Sequence, residues 1–243
     1  LLAQPEILTV VEKKRRPTKE KILHLLGGKD LANQSVVQVQ ENGVKFLVDL
    51  DLGQKTGFFL DQRDNRQYVK SMAKGKTLLN LFSYSGGFSV YAGLGGATHV
   101  TSLDMAEGAL DLANKNWALN HLHPSSHTSI CQDAFDFLES TNETWDMVLV
   151  DPPSMAHSEE QKPNEKKKYV AAFTAAAKRV RKGGDLCLSS CSSHISFDDF
   201  SEIITQALSD ARLVGQTIRI SGQGGDHPFP HALPEFRYLK FVH

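Results

Sequence analysis

Short apolar runs alternate with helix-forming stretches from Thr77 to the end of the chain. The apolar runs predict strands at 77–81, 98–103, 127–131, 145–150, 184–189, 212–220 and 236–242. The stretches between them predict helices at 87–94, 107–119, 133–139, 165–181 and 197–210. This alternation indicates an α/β fold with a mostly parallel sheet and helices on both faces. Only residues 221–235 separate the last two strands, which predicts that the final strand is antiparallel.

The region before Thr77 is patterned differently. Two β-rich runs, 36–39 and 44–48, flank Glu41-Asn42-Gly43. Asn-Gly at this place predicts a hairpin, because both turn positions need positive φ. Residues 61–74 predict a helix, and a shorter helix is expected near 18–26. We therefore divide the chain into a basic N-terminal segment (1–35), a β-hairpin and helix leading into the next domain (36–74), and that α/β domain (75–243).

Composition and charge exclude several classes of protein. The chain has 243 residues, of which 40% are hydrophobic and 23% charged, as in an ordinary soluble globular protein. No run approaches the roughly 20 apolar residues that span a bilayer, so no membrane partner is expected. No secretory signal is visible, and Cys131, Cys187 and Cys191 have neither CxxC nor zinc spacing. We expect reduced thiols, no metal and a cytoplasmic location. The first residue is Leu, which suggests a fragment of a longer protein.

The net charge of −1 does not by itself indicate a nucleic-acid-binding protein. Basic residues are nevertheless clustered, and local clusters can bind phosphates. The alternative is a solvated surface, which is the usual role of a charge run. The two clusters are Lys13, Lys14, Arg15, Arg16, Lys19 and Lys21, and Lys162, Lys166, Lys167 and Lys168.

The segment after the 77–81 strand has the composition of a ligand-binding loop. It reads Phe82-Ser83-Tyr84-Ser85-Gly86-Gly87 and leads into a helix. Glycine lets a ligand approach the backbone closely, and the helix start offers free N–H groups. The next strand ends at Asp104-Met105, and an acidic residue about 20 positions past such glycines contacts ribose hydroxyls. The loop is not GxGxxG, so S-adenosylmethionine (SAM), which has a ribose but no pyrophosphate, fits better than a nicotinamide cofactor.

Three further strand ends carry candidate chemistry. Gln132-Asp133 follows the third strand, where the carboxylate could accept a hydrogen bond from an adenine amino group or cap the next helix; the two roles are compatible. Asp151-Pro152-Pro153 follows the fourth strand. Such a segment is typical of methyltransferases acting on planar amino or ring groups, although a plain turn is the alternative. Cys191 follows the fifth strand in a serine-rich loop and is a candidate nucleophile, although a lone cysteine is more often inert.

Several motifs between about Val36 and the end of the chain occur together in one known family. They are Glu41–Phe46, Gln54–Arg66, Asn80–Gly87, Asp151–Pro153, Ser190–Ser192, Gly225–Pro228 and Tyr238–Lys240. The block Gln54–Arg66 is the most specific of these. Through these motifs the chain resembles class I SAM-dependent methyltransferases of the ribosomal RNA large subunit methyltransferase I type, which make 5-methylcytosine in 23S rRNA.

The resemblance implies a Rossmann-like domain at 75–243 that binds SAM and RNA, with Cys191 as nucleophile at cytosine C6 and Asp151 on the ring N3/amino edge. It identifies no residue that removes the C5 proton. Family members usually carry an upstream PUA domain, for which 1–35 is too short. The resemblance also places Gln62, Arg63 and Arg66 at the cofactor or RNA entrance rather than in the core. The expected cofactor-binding residues are Phe82, Ser83, Tyr84, Ser85, Gly86, Gly87, Asp104, Met105, Gln132, Asp133, Asp151, Gln62 and Arg63.

Other functions stay open. A sister family makes 7-methylguanine but typically lacks the cysteine at position 191. A SAM methyltransferase for another base or a small molecule, and a non-catalytic RNA-binding module, are the alternatives. We also expect that two copies of the chain form a homodimer.

Overall fold

The computed structural model describes residues 9–13, 23–28, 35–154, 160, 162–233 and 236–243. Contacts within the chain divide it into two units, Leu1–Phe59 and Leu60–His243. Most of the N-terminal basic cluster, and the first part of the helix expected near 18–26, lie outside the described residues. The functional division at 35 and 74 stays a prediction.

The described part of the first unit consists of two antiparallel strand pairs. Strands β1 (Thr9–Lys13) and β2 (Leu23–Gly28) form one pair, and β3 (Val36–Glu41) and β4 (Val44–Asp49) form the other. The helix expected near 18–26 is wrong over 23–26, because pairing with β1 satisfies the backbone of that segment. The Asn-Gly turn joins β3 to β4 with φ of 50° at Asn42 and 81° at Gly43.

The second unit alternates strands with helices. It begins with a 3-10 turn at Leu60–Gln62. Its helices are α1 (Arg63–Met72), α2 (Gly87–Leu94), α3 (Glu107–Leu119), α4 (Ala134–Ser140), α5 (Lys162–Ala177) and α6 (Phe197–Ala211). Its strands are β5 (Thr77–Leu81), β6 (His99–Asp104), β7 (His127–Cys131), β8 (Trp145–Val150), β9 (Val180–Ser190), β10 (Ile220–Ser221) and β11 (Lys240–Val242). A second 3-10 turn, Pro124–Ser126, precedes β7.

The seven strands form one sheet in the order β10-β11-β9-β8-β5-β6-β7. Strands β5 to β9 are parallel, whereas β11 runs antiparallel to β9 and pairs with β10. This confirms the predicted fold class. The chain leaves β5 towards β6 and β7 and later returns to β8 on the other side of β5. Ligands of such sheets bind at this switch point, beyond the carboxyl ends of the strands.

Two predicted segments near the C terminus are shorter than expected. The strand predicted at 212–220 is wrong except at Ile220, because Val214 and Ile218 are exposed and bury no apolar face. The strand predicted at 236–242 is confined to 240–242. The helix predicted at 165–181 ends at Ala177, because Arg179 accepts a backbone hydrogen bond from Trp145 and Val180 pairs with Trp145 in the sheet.

Helices cover both faces of the sheet. Helix α2 contacts α1 and α3, while α5 contacts α4 and α6. The core beneath the α4–α6 layer includes the aromatic side chains of Tyr169, Phe173 and Phe200, all almost fully buried. Within the described part of the chain, no helix combines the length and apolar character needed to cross a bilayer.

Candidate active site

The loop after β5 adopts a strained backbone. Phe82 and Tyr84 have φ of 57° and 48°, in the left-handed region that non-glycine residues seldom adopt. Such strain persists where the surroundings hold it and is concentrated at ligand sites. The Ser83 N–H donates to the carbonyl of Leu103 at 2.9 Å. The Ser83 hydroxyl is buried and has no hydrogen-bond partner among the described residues.

Glycine is required at the end of this loop. Gly86 has φ of 77° and stands immediately before helix α2. A Cβ at Gly86 would lie 2.9 Å from the Cβ of Ala113 on α3. Helix α3 also fixes the loop through Asn116, whose side-chain amide donates to the Ser85 carbonyl at 3.0 Å. The loop is therefore held by both α3 and β6.

Asp104, at the end of β6, organises the neighbouring loops. Its Oδ2 accepts the Tyr84 N–H at 2.8 Å and its Oδ1 accepts the Ala106 N–H at 2.9 Å. The Gln132 N–H donates to the Asp104 carbonyl at 3.1 Å. Each carboxylate oxygen keeps a second lone pair, so Asp104 can still accept two hydroxyl groups. The structure thus brings together the loops after β5, β6 and β7. Met105 is 69% exposed beside them.

Asp133 is the N-cap of helix α4. Its Oδ1 accepts the N–H groups of Phe135 at 2.8 Å and Asp136 at 3.2 Å. The capping role considered from the sequence is confirmed. The adenine contact stays a prediction, and Oδ2 is the oxygen not used by the cap.

A buried polar chain surrounds Asp151 after β8. The Gln62 side-chain amide donates to Asp151 Oδ1 at 3.0 Å and to Ser189 Oγ at 2.9 Å. Asn65 Nδ2 donates in turn to Gln62 Oε1 at 2.7 Å. Burial raises the pKa of Asp151 to about 6; the charge of Asp61 acts in the same direction, and the hydrogen bonds from Ser189 and Gln62 oppose it. Asp151 can therefore exist in either protonation state near neutral pH.

The predicted entrance position of the Gln62–Arg66 segment is only partly right. Gln62 reaches Asp151 but is 3% exposed, and Arg66 is 2% exposed and lies over the ring of Tyr91 at 6.0 Å. These two side chains therefore belong to the core, which the sequence expectation excluded. Arg63 remains partly exposed and pairs with Asp226 at 2.6 Å. Burial is tolerated because the amide of Gln62 and the guanidinium of Arg66 have polar or aromatic partners.

Cys191 follows the last residue of β9 and is partly exposed. Hydrogen bonds between buried polar groups hold the loop around Cys191 in place. Ser190 Oγ donates to Tyr169 Oη at 3.0 Å, and Ser192 Oγ donates to Glu165 Oε2 at 3.2 Å. Cys187 lies inside β9, where burial strongly raises the pKa of its thiol. Cys187 is therefore a packed thiol, and Cys191 is the accessible one of the pair.

Lys240, on β11, secures the same loop. Its ammonium donates to the carbonyls of Ser192 at 2.5 Å, Ile195 at 2.6 Å and Tyr238 at 2.7 Å. Burial lowers the pKa of Lys240 to about 8, while the neighbouring Cys191 opposes this shift. A buried cation beside a thiol stabilises the thiolate.

Sequence analysis did not identify Lys240, Glu165 or Asp61 as site residues. The sequence contains features that could have identified two of these residues. Lys240 interrupts the apolar run Leu239–Val242, and Asp61 directly precedes Gln62 in the most specific block. Glu165 lies in a lysine-rich segment, so nothing in the sequence indicated that it would be 1% exposed.

The loops after β5, β6 and β7 fit the chemistry of SAM. The Asp104 carboxylate has free lone pairs that suit a ribose diol. The buried Ser83 hydroxyl has no hydrogen-bond partner in the described part of the chain, and the glycine-containing turn permits close approach of a ligand. Asp104, Ser83 and the loop ending at Gly86 could hold the nucleoside part of the cofactor.

Comparison with known proteins gives the same assignment. A family model described as S-adenosylmethionine-dependent methyltransferase matches residues 4–187. The ribosomal RNA large subunit methyltransferase of Deinococcus radiodurans is 38% identical over 216 residues, which cover 88% of this chain and 52% of that protein. The ribosomal RNA large subunit methyltransferase I of Aeromonas salmonicida is 41% identical over 207 residues, covering 84% of this chain and 52% of that protein.

Among solved structures, SMU.776, described as a methyltransferase complexed with SAH, is 28% identical with a TM-score of 0.86. The match covers 98% of this chain and 61% of that one. The chain thus spans about half the length of the curated relatives that it matches. The matched family model, the sequence identities and the arrangement of the three loops lead to one conclusion: the chain belongs to the S-adenosylmethionine-dependent methyltransferase family.

Proposed function

We propose that this chain is the catalytic part of an RNA methyltransferase that modifies C5 of a cytosine in large-subunit rRNA. The names of the relatives support the rRNA substrate. The choice of cytosine C5 rests on Cys191, because C5 is a poor nucleophile and needs a thiolate added at C6 to activate it. Methylation of a ring or exocyclic nitrogen needs no such thiolate.

The proposed cofactor site uses the three loops described above. Asp104 accepts the two ribose hydroxyls, and Asp133 accepts the adenine amino group through Oδ2. The loop Phe82–Gly87 with Met105 and Gln132 encloses the nucleoside, and Gln62 and Asp151 lie at the adjacent end of β8. When bound, SAM supplies an electrophilic methyl group.

The chain's own residues activate the base in this proposal. The Cys191 thiolate adds to C6, and the buried charge of Lys240 stabilises that thiolate. In its protonated form, Asp151 donates a hydrogen bond at the N3/amino edge and so stabilises the negative charge that addition places on the ring. The target base must leave its stack to reach these residues, as for other enzymes that act on bases.

One observation supports the proposal: the partly exposed Cys191 follows strand β9, and Asp151 follows the adjacent strand β8 at the same edge of the sheet. Strands β8 and β9 are adjacent and parallel, with Val150 opposite Leu188. Gln62 joins the two strand ends, because it donates to both Asp151 and Ser189. A carboxylate and a thiol at neighbouring strand ends can engage opposite edges of one pyrimidine.

The test is a covalent trap with a matched pair of cysteine variants. Large-subunit rRNA containing 5-fluorocytidine is incubated with SAM and the protein, and denaturant-resistant protein–RNA adducts are measured. We expect adducts with the native protein and with Cys187→Ala, and none with Cys191→Ala, since fluorine cannot leave as a proton does. Turnover by Cys191→Ala, or a product methylated on nitrogen, would contradict the proposal.

The alternatives make different predictions. A methyltransferase for guanine N7, another nitrogen or a small molecule would retain activity in Cys191→Ala. A non-catalytic RNA-binding module would bind RNA but not SAM. The cytoplasmic location stays a prediction, and the comparisons do not support the expected homodimer.

A further inference from the structure

Asp61 carries a buried carboxylate oxygen with an unfilled hydrogen-bonding capacity. Its Oδ2 accepts the hydroxyl hydrogen of Tyr238 at 2.7 Å. Its Oδ1 is inaccessible to solvent and has no hydrogen-bond partner among the described residues. An ionised carboxylate only accepts hydrogen bonds, and leaving a buried acceptor without a donor is unfavourable. A buried polar atom without a partner is an exception that needs an explanation, and a catalytic role is one of the recognised explanations.

The Asp61–Tyr238 pair lies next to both residues proposed to hold the base. Asp61 directly precedes Gln62, which donates to Asp151, and the charge of Asp61 contributes to the raised pKa of Asp151. On the other side, Lys240 binds the carbonyls of both Tyr238 and Ser192, the residue after Cys191. The pair is thus linked to the Asp151 end of the site by Gln62 and to the Cys191 end by Lys240.

This position corresponds to one particular atom of a bound cytosine. In the proposed function, Asp151 holds the N3/amino edge and Cys191 attacks C6. Around the ring, the atom between the amino-bearing C4 and C6 is C5. A carboxylate next to both Asp151 and the Cys191 loop is therefore placed to approach C5.

We propose that Asp61 is the catalytic base that removes the C5 proton, with Tyr238 orienting its carboxylate. This inference rests on the proposed function. After C5 has been methylated, the C5–H bond breaks and the proton passes to Oδ1 of Asp61. The electron pair of that bond restores the C5=C6 double bond, and the C6–S bond breaks to release the Cys191 thiolate. Atoms and charges balance without a further reactant.

The test uses Asp61→Asn, which keeps an oxygen to accept the Tyr238 hydrogen bond but cannot take the proton. The substrate is large-subunit rRNA with ordinary cytidine, and SAM carries a labelled methyl group. We expect turnover to fall by about 10²- to 10⁴-fold, the usual contribution of a general base. Labelled methyl should accumulate in a denaturant-resistant adduct between Cys191 and RNA, because addition and methylation proceed while elimination stalls. A merely structural defect would produce no such adduct.

Controls separate the possible outcomes. Asp210→Asn, an exposed carboxylate-to-amide change on α6, should turn over like the native protein without an adduct. Binding of S-adenosylhomocysteine, measured by calorimetry, verifies that Asp61→Asn is folded. If this variant does not bind, Asp61→Glu replaces it and should retain turnover without an adduct. Three results would overturn this inference and leave the proposed function standing. They are turnover by Asp61→Asn within about threefold of that of the native protein, loss of turnover in Asp61→Asn without an adduct, and failure of Asp61→Glu to turn over. Absence of an adduct between native protein and 5-fluorocytidine RNA would overturn the proposed function, and the inference with it.

Discussion

Replacing Asp104 by alanine tests the cofactor site at its most connected residue. The carboxylate accepts the N–H groups of Tyr84 and Ala106 and, in the proposed complex, two ribose hydroxyls. Loss of charge-assisted hydrogen bonds to the ribose should weaken binding by about 1.5–3 kcal/mol. The Tyr84 backbone, with φ of 48°, also loses the bond that holds it in a left-handed conformation, whose cost is about 1–2 kcal/mol.

These two contributions add to about 2.5–5 kcal/mol if the loop must be reordered when the cofactor binds. That is a rise of roughly 70- to 5,000-fold in the Kd for SAM. Isothermal calorimetry on the native protein and Asp104→Ala measures it directly. Asp111→Ala, an exposed change on α3, is the matched control and should bind like the native protein.

A cofactor analogue lacking the ribose hydroxyls separates the direct contact from the loop effect. The native protein should bind this analogue more weakly than SAM, whereas Asp104→Ala should bind both about equally, because the partner of the hydroxyls is already absent. The reasoning is refuted if Asp104→Ala binds SAM with native affinity. It is refuted equally if the variant still discriminates between SAM and the analogue as the native protein does.

Three further predictions concern other parts of the site. Gly86→Ala should lower the free energy of unfolding by about 2–4 kcal/mol in thermal denaturation, because φ is positive and the new Cβ meets Ala113; Gly108→Ala, which meets nothing within 4 Å, should not destabilise. Between pH 4 and pH 7, the native protein should lose up to about 3 kcal/mol of stability in urea titrations relative to Asp151→Asn. The reason is that the pKa of Asp151, raised to about 6 in the folded state, contributes stability below the unfolded-state pKa, and this stability is lost as the pH rises through 6. Equal pH dependence of the two proteins would disprove this. Lys240→Met should destabilise the fold by about 2–5 kcal/mol and abolish methyl transfer, because three buried carbonyls lose their donor; unchanged activity would show that the ammonium is dispensable.

The parallel core of the sheet was predictable because its strands are buried on both faces. Strands β5 and β8 therefore consist mostly of apolar residues and are bounded by turn residues, and their carboxyl ends mark the candidate site. The segment at 212–220 also contains apolar residues, but Val214 is fully exposed and only Ile220 of this segment belongs to a strand. Composition alone does not distinguish these cases, because burial is decided by neighbours that the local sequence does not contain.

The polar residues of the site were harder to predict from the local sequence than the strands. Asp104 and Asp151 follow obvious strands, so their location could be inferred. Asp61 and Lys240 reach the site through contacts between distant segments of the chain. Asp61 and Tyr238, for example, are separated by more than 170 residues. Arg66 was expected at an entrance because arginine is seldom buried, yet it lies over Tyr91 in the interior. Such long-range pairings depend on the folded topology.

The contacts of Lys240 also impose an order on the maturation of the enzyme. The carbonyls of Ser192 and Ile195 belong to the loop that carries Cys191, but the ammonium that binds them is supplied by β11. Since a ribosome makes the chain from the N terminus, strands β5 to β9 can assemble while this loop still lacks its cation. The nascent domain would thus form the loops after β5, β6 and β7 first. It would gain the cation proposed to stabilise the Cys191 thiolate only after β11 has emerged and inserted beside β9.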